Sequence, residues 1–290
     1  MQLILSIIIT TLLLTILGKS MSVLYSTLRF FHLGHAITLT LGAYLVYTML
    51  IIWGMPMWVS ILVSLLVGVL LMLVVNRWVY DPLQNRGVEQ WKMMMASLGV
   101  YVVLQNIVSL VWGSATLSFR TWPIKDGYEF LGAHLTEVQL VSIVSGLSLL
   151  LCDWLFIEKT NIGRQIEAVS TNPNLSAIQG ISNKRVAYWS LAYGTCLAAC
   201  VGILIAADID MTPTMGFDWL MYGVVAMIIG GMGKMRYTIF GAFLLAAAQQ
   251  LSAYFFDSKW MNATAYIILV VFLYFRPFGF SGKKLKKTEV

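Results

Sequence analysis

An all-α bundle of about eight or nine membrane-spanning helices is the fold predicted for this 290-residue chain, and three observations predict it. Hydrophobic residues make up 59% and charged residues only 11%, against roughly 25% charged in an average globular domain. Apolar runs long enough to cross a bilayer, roughly 20 residues at 1.5 Å each, recur along the whole chain. The charges are also sorted by side. Of the 19 Lys and Arg, only Arg120, Lys125 and Lys259 fall in predicted outside segments, leaving 16 inside. Asp126, Glu129, Glu137, Asp208, Asp210, Asp218 and Asp257 fall outside, and Asp81, Glu89, Glu158, Glu167 and Glu289 inside. Basic residues flanking spans stay on the cytoplasmic face, so the pattern predicts an outside N-terminus and an inside C-terminus. The same effect accounts for the net charge of +6 without a nucleic-acid partner.

The spans are predicted at 3–18, 35–53, 57–75, 93–112, 138–157, 186–207, 219–233, 237–256 and 262–275, with 20–34 as a further embedded stretch. Met1 to Gly18 reads as a retained first span, since no basic residue precedes its apolar core and no small-x-small cleavage site follows. The uncharged turn Trp53-Gly54-Met55-Pro56 predicts a tight hairpin between the second and third spans. Trp53, Trp58, Trp112, Trp219 and Trp260 fall at predicted span ends, where amphipathic rings favour the headgroup layer. Gly42, Gly68, Gly99, Gly194 and Gly202, then Gly230, Gly231 and Gly233, predict helices in close approach. A faint echo between 41–45 and 240–244 suggests a parallel internal repeat. Cys152, Cys196 and Cys200 lie in apolar runs without partners at metal-ligand spacing and read as small hydrophobes.

The longest inside loop, 158–185, is the most informative segment. Ile162, Ile166 and Val169 recur at helical spacing, and Asn172-Pro173 then caps and starts a second short helix carrying Leu175 and Ile178, ended by Gly180. Two short helices with apolar faces at the membrane surface predict a docking platform or a plain connector. The transmembrane domain is taken as 1–282, and 283–290 as a basic tail that touches anionic lipid.

Polar groups inside spans are costly and are functional candidates by default. They are His32, His35, Thr38, Thr40, Gln105, Asn106, Asp153, Gln249 and Gln250. Neutral imidazole and amide groups facing a path suit a small polar solute, whereas a structural role would spend them on bonds between helices. Asp153, within reach of Lys159, reads as an interfacial charge. No metal or Ser/His/Asp constellation, voltage-sensor ladder or carbonyl filter is present. Gly233-Lys234 lacks a Gly at 228 and is followed by Met235, so the chain carries no phosphate-cradling loop to hydrolyse ATP.

Thr160 to Val169, Asn172-Pro173 and Gly180 to Val186 resemble the coupling loop of the branched-chain amino acid ABC permeases, the LivH-type subunits. Val79 to Leu83, Leu104 to Leu110 with Gly113-Ser114, Val225 to Gly233 and Arg276 to Gly279 are similar to further signatures of that family, in the same order. Two departures stand out. Asp81 occupies a position where the family often has Arg, and 32–37 reads His-Leu-Gly-His-Ala-Ile where the family has Asn-Phe-Ala-His-Gly and an acidic residue.

The resemblance implies a non-enzymatic permease subunit of an importer in the bacterial inner membrane. Its cargo would be a branched-chain amino acid or a related amide or urea-like compound. It would pair with a second permease subunit, two cytoplasmic ATPase subunits that hold the ATP and magnesium, and an extracytoplasmic solute-binding protein. Within that frame Gly163, Ile166, Glu167, Ala168, Asn172, Pro173, Leu175, Ile178 and Gly180 would form the ATPase contact, and His32, His35, Thr38, Gln105, Asn106 and Gln249 the solute path. An ion-coupled secondary transporter is the alternative, with His32, His35 or Asp153 as its coupling site.

Overall fold

The computed structural model of the chain describes residues 1–120, 127–130, 133–276 and 279–280, and the side chains of 128–130 and 133 are not among those described. Lys125 and the basic tail 283–290 lie outside these residues. Among the described residues twelve α-helices follow in order: α1 Gln2–Leu28, α2 Ala36–Tyr47, α3 Met57–Val75, α4 Asp81–Asn85, α5 Gln90–Trp112, α6 Glu137–Lys159, α7 Asn161–Thr171, α8 Pro173–Ile178, α9 Asn183–Ile209, α10 Met215–Gly230, α11 Thr238–Phe255 and α12 Met261–Phe275. A short antiparallel hairpin, Tyr128–Phe130 with Ala133–Leu135, interrupts the predicted all-helical pattern between α5 and α6. Extra helical turns continue α2 to Ile52 and join α3 to α4, so eight helices among the described residues are long and apolar enough to span a membrane.

Two sequence expectations are corrected. The first span does not stop at Gly18 but runs to Leu28, about 40 Å at 1.5 Å per residue. Lys19, counted among the inside charges, therefore lies within α1. The predicted seventh span, 219–233, is the 16-residue helix α10, which begins inside the bundle. Its Gly216 N–H donates to Thr40 Oγ1 at 3.2 Å. Its Phe217 ring lies 5.1 Å from that of Tyr101, halfway along α5. The segment before it is pinned by a two-bond bridge between Met211 and Leu117.

Helix directions follow from the contacts. Leu12 packs at Gly146 and Lys19 meets Asp153, seven residues further on both helices, so α1 and α6 run the same way. Gly18 meets Thr238 while Thr10 meets Gln250, so α11 runs opposite to them. α1, α2, α9, α10 and the inner face of α11 form the core. α3, α5, α6 and α12 are sheathing helices with largely exposed windows.

Glycines set the closest approaches. A Cβ at Gly202 would overlap the Leu39 carbonyl and sit 2.6 Å from the Leu39 Cα. Gly216 would meet the Ala36 carbonyl and Gly241 the Ala226 carbonyl in the same way, and Gly42 would meet the Ala199 carbonyl at 2.9 Å. Gly68 and Gly99 have open space where their Cβ atoms would be. They are glycines on the outer sheath, not packing sites.

Candidate functional site

The loop predicted as two helices forms a compact platform. Thr160 Oγ1 accepts the Gly163 N–H at 3.0 Å and starts α7. Asn172 Oδ1 accepts the Leu175 N–H at 3.1 Å and starts α8, with Pro173 in its first turn. A Cβ at Gly163 would overlap the carbonyls of Phe156 and Ile157, so only glycine permits the tight α6–α7 elbow. Gly180, at φ +82°, closes the unit before α9.

The two helices present their apolar residues differently. Ile166 and Val169 are buried against Val23 and Val186, which corrects Ile166 as a docking residue: it anchors α7 to the bundle. Leu175 is 51% exposed and Ile178 83% exposed. Glu167, Ala168, Asn172 and Leu175 line an open groove between the two helices. Arg29 fastens the platform from below. It sits in the left-handed region at φ +64° just past α1, and its guanidinium donates to the last carbonyls of α7, Ser170 at 2.8 Å and Val169 at 3.3 Å. Beside it, Asp81 accepts from Tyr188 at 2.6 Å, Lys184 at 2.9 Å and Asn76 at 3.3 Å, joining α4 to the start of α9.

The predicted polar path residues fall in three places. His32, His35 and Thr38 are fully enclosed in the core. α2 and α5 are parallel and in register, since Leu33 meets Ser97 and Thr48 meets Trp112. Leu33, where the helical turn leading into α2 begins, thus lies seven residues above the start of α5, about 10 Å into the bundle. The intervening 29–32 segment is irregular backbone at membrane depth, tolerated only because protein surrounds it. Ser97 Oγ accepts the Leu33 N–H at 3.0 Å and lies 3.3 Å from the Phe31 carbonyl.

Ser20 Oγ donates to the Gly194 carbonyl at 2.9 Å, so the His35 Nε2, 2.6 Å away, must donate to Ser20. That assigns the proton to Nε2. His32 packs edge-on against Tyr80, ring centroids 4.8 Å apart, and neither of its nitrogens bonds a described residue. Thr38 is satisfied locally by the His35 carbonyl at 2.8 Å. On α5, Asn106 faces outward and donates to the Val102 carbonyl at 2.7 Å, while Gln105 is half-buried at the flank and donates to Ser109 at 3.1 Å. Gln249, only 1% exposed, lines a pocket of about 380 Å³ at the end of the bundle opposite the platform.

Asp153 is not the interfacial partner of Lys159 that its position suggested. Lys159 lies over the Trp154 ring. Asp153 is buried, 2.5 Å from Lys19 Nζ on α1 and 2.6 Å from the Tyr193 hydroxyl on α9. The Tyr193 ring stacks on Phe156 at 4.1 Å, directly above the α6–α7 elbow. Breaking such a pair by removing one partner costs about 3–5 kcal/mol, whereas an apolar replacement of both is often neutral. Asp153→Ala is therefore expected to lower the thermal midpoint in detergent sharply, and Lys19→Met with Asp153→Leu to recover most of it. Equal losses in the single and double variants would show that the pair does not hold the helices.

Sequence reading missed Lys19, Arg29, Asp208 and Asp218. The first two were counted as flanking charges and the last two as outer-loop acids, because α1 is longer and α10 deeper than hydropathy indicates. At the end of the bundle away from the platform, the Ser118 hydroxyl and then the Arg120 guanidinium, 2.7 Å away, hold the Asp210 carboxyl below its ordinary range.

Comparison with known proteins places this geometry. The chain is 24% identical over 215 residues to the high-affinity branched-chain amino acid transport system permease protein LivH of Escherichia coli (strain K12), covering 72% of this chain and 69% of that one. It is 23% identical over 291 residues to a probable branched-chain amino acid transport permease protein LivH of Methanocaldococcus jannaschii, covering 96% and 91%. It is 32% identical over 185 residues to the fructose import permease protein FruF of Bifidobacterium longum, covering 61% and 49%. Among solved structures, PsaBC from Streptococcus pneumoniae in complex with Fab shares the fold with a TM-score of 0.53 at 11% identity, over 94% of this chain and 91% of that one. A family model for the permease component of branched-chain amino acid transport systems matches residues 3–275. With nearly its whole length matched, this multi-pass membrane chain belongs to the branched-chain amino acid transport system permease component family.

Proposed function

We propose that the chain is the membrane subunit of an ATP-driven importer in a bacterial inner membrane, with its N-terminus outside and the α7–α8 platform and C-terminus in the cytoplasm. The observation that carries this reading is the platform. Two capped helices are clamped to the bundle through Ile166, Val169 and Arg29 and expose Leu175 and Ile178 to the aqueous side. An apolar surface at the end of a fixed lever suits a partner that pushes. A change of state needs a ligand or partner with different affinity for the two states, and the sequence holds no ATP loop of its own. The energy thus enters through separate ATPase subunits that carry the nucleotide and magnesium.

A second permease subunit completes the path against the exposed sheath helices, where Gln105 and Asn106 sit, and a solute-binding protein delivers cargo to the far end. The cargo is a small polar solute, a branched-chain amino acid or a related amide or urea-like compound. The names of the LivH relatives support the first of these. His32, His35 and Thr38 stand in the core as the hinge of the α1–α2 elbow beside this path.

The test is reconstitution in liposomes with candidate ATPase subunits and a binding protein. Uptake of labelled leucine should require ATP, all subunits and the binding protein. Uptake by this chain alone, driven by an ion gradient, would establish the secondary-transporter alternative instead.

A further inference from the structure

The pocket at the far end is walled by α1, α6, α9, α10, α11 and the turn before α12 of a single chain. Two carboxylates line it, Asp208 half-buried and Asp218 exposed. The two buried carboxylates among the described residues are each held by a lysine and a tyrosine: Asp81 by Lys184 and Tyr188, and Asp153 by Lys19 and Tyr193. Asp208 and Asp218, which line the pocket, have neither an ion pair nor a hydrogen bond among the described residues. The cation that acts on Asp208, Arg120, has its guanidinium engaged by Asp210 at 2.7 Å. Among the described residues, no Lys, Arg or His lines the pocket.

Gln249 supplies a second, independent sign of an occupant. It is buried, its amide nitrogen reaches the Met261 carbonyl only at 3.5 Å, and its side-chain oxygen accepts no hydrogen bond among the described residues. In the same lining Ile9, Leu13 and Ile205 offer an apolar surface. Such a site pairs uncompensated negative charge and a free acceptor with an alkyl-sized apolar wall. Such a concave, negatively charged site recruits a cation that brings its own donors.

We propose that this pocket binds small solutes through an ammonium group, with Asp208 and Asp218 receiving the charge, Gln249 accepting a hydrogen bond and the aliphatic wall covering the alkyl part. The site lies within one copy of the chain. It needs no second subunit, and it rests on the importer reading only in making its occupant the cargo.

Melting of the full-length chain in lipid nanodiscs tests this with four probes of one shape: 3-methylbutylamine, leucine, 4-methylpentanoate and 3-methylbutanol. The amine and leucine should raise the midpoint saturably, and the acid and alcohol should not. Asp208→Asn and Asp218→Asn should each weaken amine binding by about tenfold or more with the ligand-free midpoint unchanged. If one variant does not fold, the other carries the same readout.

Equal stabilisation by the alcohol, unchanged amine affinity in both Asn variants, or the same protection from sodium or magnesium ions alone would each overturn the proposal. The importer reading stands or falls separately. ATP-driven uptake at wild-type rate by an Asp208→Asn, Asp218→Asn assembly that no longer binds amine removes the pocket and keeps the importer. Amine binding by a chain that supports no ATP-driven uptake with any partner does the reverse.

Discussion

Gly202→Ala is expected to prevent assembly of the bundle, while Gly68→Ala leaves it intact or slightly more stable. The added methyl at 202 would overlap the backbone carbonyl of Leu39, and backbone cannot swing aside as a flexible side chain can. The two central helices α2 and α9 would have to separate along their contact. Forcing extra volume into a packed core costs about 1–3 kcal/mol, and here the obstacle is main chain, so the loss lies at the upper end or beyond. Gly241→Ala and Gly216→Ala should behave alike, because each faces a carbonyl of a neighbouring helix. At Gly68 and Gly99 the space is open, and alanine gains about 1 kcal/mol of helix propensity over glycine. The measurement is the monodisperse fraction after detergent extraction, with the unfolding midpoint of what survives. A Gly202→Ala protein as stable as the parent would mean that α2 and α9 do not meet as described.

The second large effect concerns the platform. Leu175→Asp and Ile178→Asp should leave a folded, membrane-inserted protein that no longer retains ATPase subunits through purification. Both side chains project to solvent in this chain, so a charge there disturbs nothing within the bundle. A buried apolar anchor at an interface contributes about 2 kcal/mol or more, some thirtyfold in affinity per residue, and an unpaired carboxylate adds a desolvation penalty. Ile166→Asp is expected to fail differently. It places a carboxylate among Val23, Val169 and Val186 and should lower stability before any partner is added. Wild-type assembly and uptake by both α8 variants would reduce the platform to a connector.

These two experiments divide along a line that also separates sequence from tertiary structure. Periodicity and capping chemistry located α7 and α8, because Asn172, Pro173 and Gly180 act on their own backbone within a few residues. Which apolar residue of α7–α8 faces the bundle and which faces solvent was not legible. Ile166 and Leu175 look alike in sequence, and only the position of Val23 and Val186 distinguishes them. The glycines show the same limit. Five of them marked helix faces in the spans before α10, yet Gly42, Gly194 and Gly202 meet neighbours while Gly68 and Gly99 meet none.

The candidate path was legible as residue types and not as a place. His35 and Gln105 were both polar groups within apolar runs, but one is enclosed beside Ser20 and the other is half-buried at the flank of α5 beside Ser109. Lys19 and Asp153 are 134 residues apart, and no local pattern signals that distance.

By itself the sequence determined that the chain lives in a membrane, roughly where it crosses, and where its two-helix loop starts and stops. Those properties come from transfer free energy and backbone capping, which are set by residues near each other in the chain. The tertiary structure alone decided that α1 runs on past Lys19, that α10 begins inside the bundle, and that Asp208 and Asp218 share a pocket with Gln249. The first two depend on the cost of a charge or an open backbone group at depth, which is fixed by which distant helix supplies the partner, and the third on which distant helices meet at that end of the bundle.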